Sequence, residues 1–208
     1  LPPEDYGTAA PPPDDGGTSH VSVIDAKGQM AACTSTINTS FGSLVYVPEL
    51  GLILNNEMAD FTAQPGVANN YGLVGTEQNS VAPNKRPLSS MSPTLVVKDG
   101  DPYMAVGASG GPTIITGTLM AMIGVMDWGW SPARAVSAPR LHHQWMPPVL
   151  FVEKLPDSWR QRLEKRGHTV KAREAYNSVQ MVLRQGDADT ELVGVSDPRK
   201  LGRPAAVP

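Results

Sequence analysis

A threonine that follows two glycines is the residue best placed for chemistry in this sequence. Residues 11–17, "PPPDDGG", suit no packed element, and from Thr18 the chain alternates as a strand does. A threonine released by cleavage of the preceding bond is a nucleophile, and its own α-amine, with a pKa of roughly 7.7–8.0, serves as the base. Gly17 suits such a cut because glycine tolerates strained dihedrals and leaves its carbonyl open to attack. The alternative is that Gly16 and Gly17 only end a linker before a strand.

A glycine pair in "GASGGPT" is the second feature with chemical potential. Gly110 and Gly111 stand just before a predicted helix, so their backbone amides are unhindered and can point at a developing negative oxygen. Loss of one such oxyanion donor costs about 3–4 kcal/mol in well-studied hydrolases. A phosphate-binding loop is the competing interpretation, and we reject it because this stretch lacks the lysine that such loops need.

Histidine and cysteine give no support for a metal or cofactor site. The four histidines show no HExxH spacing, and His142 and His143 should point to opposite sides of a strand. The single cysteine, Cys33, excludes an internal disulfide. Because Cys33 stands in an alternating strand pattern, we expect it to be a buried, inert thiol.

Composition narrows the class of protein. Of 208 residues, 40% are hydrophobic and 18% charged, which allows a buried core and argues against global disorder. The net charge of −3 and the lack of a long basic run argue against nucleic acid as a partner. The longest apolar stretch, within 114–130, is interrupted and falls short of the ~20 residues of a membrane span, so we predict a buried core helix. Leu1 opens in mid-linker, so we expect the chain to be the second half of something longer.

These candidate residues must be positioned by elements that the pattern also predicts. We predict a linker over 1–17 and one domain over 18–208. Predicted strands and hairpins cover 20–25 with 30–37, 50–56, 94–107 with its turn at Asp99-Gly100, 168–171, 179–184 and 191–195. Predicted helices start at Pro112, at Pro132 with Ser131 as N-cap, and at Asp157 or Ser158 as cap, the last ending at Gly167. We predict a long ordered loop over residues 62–88. Antiparallel runs with clustered helices favour stacked α and β layers.

Several segments together resemble one known family. They are "TSHVSVIDAKGQMAACTSTINTSFGS", "GLILNNEMADF", "NKRPLSSMSPT", "GASGGPTIIT", "APRLHHQW" and "SDPR". In order and spacing, from Thr18 to about Arg199, they resemble the small subunit of γ-glutamyltransferase (γ-glutamyltranspeptidase). The resemblance implies an α+β fold, the four-layer αββα sandwich of N-terminal-nucleophile hydrolases. It also implies a precursor that cuts itself between Gly17 and Thr18.

The resemblance assigns roles residue by residue. Thr18 matches the nucleophile, and Thr36 matches the threonine whose hydroxyl bonds to it. Asn38, Glu57 and Asp60 match positions that hold the α-amino and α-carboxylate groups of the glutamyl moiety. From the residues alone, the preferred interpretation of Thr36 is an ordinary β-branched strand residue, and that of Asp60 is a solvated turn residue.

Five further positions take roles in the same way. Ser89 and Ser90 match a pair that donates to the α-carboxylate, although serines before a strand are also ordinary turn formers. Gly110 and Gly111 match the oxyanion hole. Tyr71 matches the aromatic residue of a lid loop over the glutamyl group, with an exposed loop tyrosine as the alternative.

The implied activity is that of a γ-glutamyltransferase and glutathione hydrolase. The implied partners are the large subunit of the same precursor, which supplies an arginine for the α-carboxylate, glutathione or other γ-glutamyl compounds, and water, amino acids or peptides as acceptors. No cofactor is implied, and family analogy places the enzyme in the periplasm, outside the cell or at its surface. One alternative is a glutaryl or cephalosporin acylase of the same fold, which needs fewer α-amino ligands. The other is an unprocessed, catalytically silent homologue.

Overall fold

The computed structural model describes residues 17–174, 177–186, 191–200 and 202–206, and the predicted linker before Gly17 lies outside them. The strands are β1 Thr18–Ile24, β2 Met30–Thr36, β3 Tyr46–Val47, β4 Leu52–Ile53, β5 Thr94–Lys98, β6 Asp101–Ser109, β7 Leu141–His142, β8 Leu150–Val152, β9 Val170–Ala172, β10 Ser178–Gln185 and β11 Glu191–Ser196. The helices are α1 Thr113–Met126, α2 Pro132–Ser137 and α3 Asp157–Glu164.

A four-stranded antiparallel sheet in the order β11-β10-β6-β5 forms the centre of the chain. Strands β5 and β6 join through Asp99 and Gly100, whose φ angles of 53° and 94° suit the two-residue turn that matches strand twist. The predicted hairpin over 94–107 is confirmed, with β6 continuing to Ser109. The predicted strands near the C-terminal end are confirmed as β9, β10 and β11.

Alternation along β6 separates two packing faces. Met104, Val106 and Ala108 are fully buried in one core with residues of α1, α2 and β10. Gly107 faces the other way, where a Cβ atom would overlap the ring of His20 on β1. The described residues therefore stack as helices, a four-stranded sheet and the β1–β2 hairpin, which is a mixed α and β layered fold.

The β1–β2 hairpin presents one face to the sheet and the other outward. Its turn is fixed by the Asp25 carboxylate, which accepts N–H bonds from Lys27 and Gln29 at 2.8 Å each. Cys33 pairs with Val21 on the outward face and is exposed. The expectation of a buried thiol is therefore wrong: alternation shows which residues share a face, but not which face is covered.

Helix α1 is buried on one side only. Ile114, Ala121 and Val125 lie in the core, whereas Ile115 and Leu119 are each 50% exposed. The predicted buried core helix is thus confirmed for one face and wrong for the other. Among the residues that the structure describes, no helix has the length and apolar character to cross a membrane.

The two shorter helices differ in how they begin. In α2 the Ser131 hydroxyl accepts the Arg134 N–H at 3.3 Å with Pro132 first in the helix, as predicted. Helix α3 follows Pro156, and no side chain caps it, so the predicted cap at Asp157 or Ser158 is wrong. Asp157 instead lies in the first turn, where its charge suits the helix dipole.

The remaining elements are short. The strand predicted over 50–56 is reduced to β4, which pairs with β3. Strand β8 pairs antiparallel with β7 but parallel with β9, so this small sheet departs from the antiparallel runs that the sequence indicates. The loop over 62–88 contains isolated bridges and a 3₁₀ turn at Glu77–Asn79, so it is ordered as predicted.

Candidate active site

Two threonine hydroxyls meet where β1 begins and β2 ends. Thr18 and Thr36 are directly opposed in the antiparallel ladder, and their Oγ1 atoms lie 3.0 Å apart. Thr36 Oγ1 also accepts the backbone N–H of Asn38 at 2.8 Å. Because that bond fixes the Thr36 hydroxyl, the Thr18 oxygen has a preset hydrogen-bond partner.

A single cleft collects most of the predicted site residues. It is lined by Thr18, Thr36, Asn38, Glu57, Asp60, Tyr71, Leu73, Ser89, Ser90, Met91, Gly111, Pro112 and Ile114. Gly110 is buried immediately before Gly111. The apolar lining by Leu73, Met91 and Ile114 was not predicted, since apolar loop and helix residues carry no chemical signal in a sequence.

An acidic pair occupies one wall of the cleft. A 3₁₀ turn over Glu57–Asp60 brings the two carboxyls to the same side, because residues three apart eclipse each other in this helix. Burial, with the nearby Asp60 carboxylate, raises the pKa of Glu57 to about 7, while the Thr36 hydroxyl opposes the shift. Burial also raises the pKa of Asp60. The pair therefore holds a proton near neutral pH until a cation approaches.

Glu57 has spare hydrogen-bonding capacity. Its Oε1 atom is buried and has no hydrogen-bond partner among the described parts of the chain. A buried acceptor without a partner is costly, and a bound ammonium group would satisfy it with a charge-assisted hydrogen bond. The acidic wall is thus suited to a substrate amine.

Tyr71 reaches across the cleft from the long loop. Its hydroxyl donates to Asn38 Oδ1 at 2.8 Å, and its ring lies over Gly111, where a Cβ atom would come within 3.0 Å of the ring. Gln144 Nε2 holds the Tyr71 carbonyl at 2.9 Å. Asn38 itself has φ 72° and is buried, with its amide nitrogen bonded to the Asn56 carbonyl at 3.2 Å. Tyr71, the residue predicted to belong to a lid, therefore lines the cleft beside Gly111.

The two glycines make the turn between β6 and α1. Gly110 has φ 136° and Gly111 has φ 54°, values that L side chains rarely adopt. The Gly110 carbonyl accepts both the N–H of Thr113 at 3.2 Å and its hydroxyl at 2.7 Å. This anchored turn presents Gly111 to the cleft at the positive end of α1.

The predicted serine pair lies in the same cleft in a turn conformation. Ser89 is exposed, and its hydroxyl accepts the Met91 N–H at 3.2 Å. Ser90 is half-buried, and its carbonyl accepts the Ser92 hydroxyl at 3.1 Å. Both serines are therefore beside the site and within a local turn, so the two interpretations from sequence are compatible.

Two residues near Thr18 were not predicted to belong to the site. His20 lies beneath Thr18 on the inner face of β1, with Nδ1 2.7 Å from Thr34 Oγ1 and Nε2 2.9 Å from Ser22 Oγ. Burial lowers the pKa of His20 to about 4, so the ring is neutral. The sequence could have indicated this position, because residues two apart in a strand lie on the same face and His20 is two residues after Thr18.

The other unpredicted residue is Lys200, which reaches the site from the C-terminal part of the chain. Its ammonium donates to the Thr18 carbonyl at 3.4 Å and to Ser109 Oγ at 2.8 Å. The contact joins three segments that are far apart in sequence, so no local pattern could indicate it.

Histidines and acidic residues form no metal-binding cluster in the described ranges. His142 is buried and bonds to Thr116 Oγ1 at 2.9 Å and Gln144 Oε1 at 2.8 Å, whereas His143 is exposed. The predicted opposite orientation of these two side chains is confirmed.

Comparison with known proteins identifies the family. A sequence model described as gamma-glutamyltranspeptidase matches residues 1–207. The chain belongs to the γ-glutamyltranspeptidase family. Among its relatives, the Escherichia coli glutathione hydrolase proenzyme is 49% identical over 186 residues, and Schizosaccharomyces pombe glutathione hydrolase proenzyme 1 is 40% identical over 198 residues. These alignments cover 88% and 93% of this chain but only 32% and 31% of the relatives. The chain thus spans about a third of those family members.

Solved structures in the family agree with the fold. A mutant of Helicobacter pylori γ-glutamyltranspeptidase matches with a TM-score of 0.84 and 41% identity, over 87% of this chain and 99% of that one. The Pseudomonas nitroreducens γ-glutamyltranspeptidase complexed with L-DON also has a TM-score of 0.84, with 35% identity, over 91% of this chain and 99% of that one. A cephalosporin acylase from Bacillus halodurans is more distant. It matches with a TM-score of 0.76 and 26% identity, over 91% of this chain and 34% of that one.

Proposed function

We propose that this chain is the catalytic small subunit of a self-processing γ-glutamyltransferase and glutathione hydrolase. The observation that carries the proposal is the cleft in which the paired Thr18 and Thr36 hydroxyls, the acidic wall and the Gly111 turn come together. Relatives named glutathione hydrolase proenzymes support the choice of substrate and of a cut precursor.

The proposed reaction begins after the Gly17–Thr18 bond is cut. The neutral Thr18 α-amine takes the hydroxyl proton while Oγ1 attacks the γ-amide carbon of a γ-glutamyl compound. The amine then gives a proton to the leaving nitrogen as the C–N bond breaks, which leaves a γ-glutamyl ester on Thr18. Water, or the amine of an amino acid or peptide, attacks the ester and releases Thr18. The amides of Gly110 and Gly111 stabilise the negative oxygen in both steps.

The acidic wall supports a glutamyl substrate. Glu57 and Asp60 offer negative charge and a free buried acceptor where the α-ammonium of a glutamyl group would bind. A glutaryl group has no ammonium, so the same wall would favour it less. This difference, together with the lower identity of the cephalosporin acylase match, favours the γ-glutamyl substrate over the acylase alternative.

Exposed apolar surface supports a large-subunit partner. Val21 and Val23 on the outer face of the hairpin are 55% and 49% exposed, and Ile115 and Leu119 lie on the outer face of α1. Such apolar faces on both outer layers are typical of surfaces that another polypeptide covers. A large subunit from the same precursor would complete the fourth layer of an αββα sandwich.

The test uses the full precursor with Thr18→Ala and, as a matched control, Ser19→Ala on the exposed neighbour. We expect Thr18→Ala to abolish both cleavage and release of p-nitroaniline from a γ-glutamyl anilide, while the control retains both. Persistence of both activities in Thr18→Ala would contradict the proposal. Faster hydrolysis of a glutaryl anilide than of the γ-glutamyl one would favour the acylase, and an uncut, inactive wild-type precursor would favour a silent homologue.

A further inference from the structure

The carbonyl group of Gly17 belongs to the bond that self-processing would cut, and its oxygen already accepts a hydrogen bond. The backbone N–H of Ile37 donates to the Gly17 oxygen at 2.8 Å. This bond continues the β1–β2 ladder by one residue beyond the Thr18–Thr36 pair. An amide therefore points at the oxygen on which negative charge would develop during cleavage.

Close packing holds the same peptide in place. A Cβ atom on Gly17 would lie 2.5 Å from the Thr39 carbonyl oxygen and 2.9 Å from that of Asn38, so only glycine allows this approach. The Gly17 φ lies outside the left-handed region, so the reason for glycine here is space rather than the strained dihedrals expected from the sequence. The carbonyl is thus clamped against the end of β2.

The end of β2 and the residues just after it also position the side chain of the nucleophile. Thr36 Oγ1 lies 3.0 Å from Thr18 Oγ1 and is fixed by the Asn38 N–H. One short stretch therefore orients the attacking oxygen and supplies the donor to the attacked carbonyl. The Gly110–Gly111 turn belongs to a different element, the start of α1, and Gly111 faces the substrate cleft.

We propose that the Ile37 backbone N–H is the oxyanion donor for cleavage of the Gly17–Thr18 bond, separate from the Gly110–Gly111 pair that serves substrate turnover. The inference rests on the proposed function. It assigns two oxyanion sites to one nucleophile, one just after β2 and one at the start of α1. After cleavage the Gly17 carboxylate is free to leave, whereas the second site stays with the cleft.

The step balances as an N-to-O acyl shift followed by hydrolysis. Thr18 Oγ1 forms a bond to the Gly17 carbonyl carbon, and the Ile37 N–H stabilises the resulting oxyanion. The C–N bond then breaks, and the Thr18 nitrogen gains the proton that the hydroxyl lost. Water hydrolyses the ester, which yields the Gly17 carboxylate and restores the Thr18 hydroxyl.

The experiment replaces single backbone amides by esters in the full precursor. Incorporation of the α-hydroxy analogue of isoleucine at position 37 exchanges the N–H for an oxygen and keeps the side chain. The matched control places an ester at Ser35, which faces Ser19 in the next hydrogen-bonded pair of the same ladder. Both esters lose one ladder bond, but only the first removes the donor to Gly17. Thermal unfolding of the uncut proteins checks that the two esters are equally folded.

The readout is the rate at which a chain beginning at Thr18 appears by mass spectrometry. We expect the ester at 37 to cleave about 10²- to 10³-fold more slowly than the ester at 35. A third ester at Gly111 should lower γ-glutamyl anilide turnover more than cleavage, whereas the ester at 37 should lower cleavage more than turnover. Equal cleavage rates for the esters at 35 and 37 would overturn the inference.

The same measurements distinguish a failure of the proposed function from a failure of this inference. Suppose that wild type cleaves and Thr18→Ala does not. An ester at 37 that leaves the cleavage rate unchanged then overturns only the assignment of the donor. If wild-type precursor never cleaves, or Thr18→Ala still cleaves, both the proposed function and the inference are overturned.

Discussion

Thr18 and Thr36 form the smallest unit on which the account depends. The Thr36 hydroxyl lies 3.0 Å from the Thr18 hydroxyl oxygen and accepts the Asn38 N–H at 2.8 Å. Both threonines could be chosen from the sequence, Thr18 from the glycines before it and Thr36 only through the family resemblance. Nothing in the spacing of 18 and 36 fixes a contact, because register depends on where the hairpin turns.

The first prediction at the residue scale concerns the Thr36 hydroxyl. Thr36→Val keeps the shape and removes the hydrogen-bond partner of Thr18, so we expect turnover of a γ-glutamyl anilide to fall about 10²-fold, as for a misplaced reacting group. Thr36→Ser restores the hydroxyl and should retain most of the activity. Equal activity of the valine and serine variants would show that the hydroxyl is not used.

The second residue-scale prediction concerns the acidic wall. With a pKa of about 7, Glu57 changes from about 10% to about 75% ionised between pH 6 and 7.5. Because the proposed function has a substrate ammonium bind the ionised form, KM for a γ-glutamyl anilide should fall roughly eight-fold over this range. Glu57→Gln should flatten the dependence of KM on pH. A wild-type KM that is constant over the same range would contradict the assignment.

At the scale of elements, polar side chains join the hairpin to the sheet. The His20 ring fills the space left by Gly107 and bonds Thr34 and Ser22 within the hairpin. Ser22 in turn donates to the Gln180 carbonyl of β10 at 3.3 Å. Alternation predicted that these side chains share a face, but it could not show that a glycine on β6 would receive the ring.

The prediction at this scale follows from the lowered pKa of His20. The folded state binds the imidazole proton only near pH 4, whereas the unfolded chain binds it near 6.5, so this group lowers stability as pH falls between those values. Glu57 acts in the opposite direction, because its raised pKa favours the folded state at lower pH. The contribution of His20 is therefore measured by comparing the loss of stability on acidification between wild type and histidine variants.

Unfolding midpoints of the full protein at pH 6.5 and pH 4.5 test this. We expect His20→Gln to lose less stability on acidification than wild type, and the exposed His143→Gln to behave as wild type. Equal loss of stability on acidification in His20→Gln and wild type would contradict a buried, neutral His20 at the hairpin interface.

At the scale of the whole molecule, an ion network joins the end of the chain to the helices. Asp197 is fully buried and accepts from Arg140 at 3.0 Å and from Arg199 at 2.9 Å. Arg140, which is 4% exposed, also donates to the Val136 carbonyl of α2. The layered arrangement could be predicted from the order of strands and helices. This network could not, because it links positions about sixty residues apart by single side chains.

Removal of one partner from this network tests its role. Asp197→Ala leaves the buried Arg140 guanidinium without its carboxylate, so we expect a loss of about 3–5 kcal/mol in the free energy of unfolding. Asp157→Ala on the exposed helix α3 is the control and should cost no more than about 1 kcal/mol, the value of its charge near the helix N-terminus. Chemical denaturation measures both, and equal midpoints would contradict a stabilising role for the network.

The most direct test of the central claim is mass spectrometry of the mature enzyme quenched with acid during turnover of a γ-glutamyl substrate. We expect a chain that begins at Thr18 and carries a γ-glutamyl ester on the Thr18 side chain. Steady turnover by a chain that is still joined at Gly17, or a γ-glutamyl group found on any other residue, would contradict it.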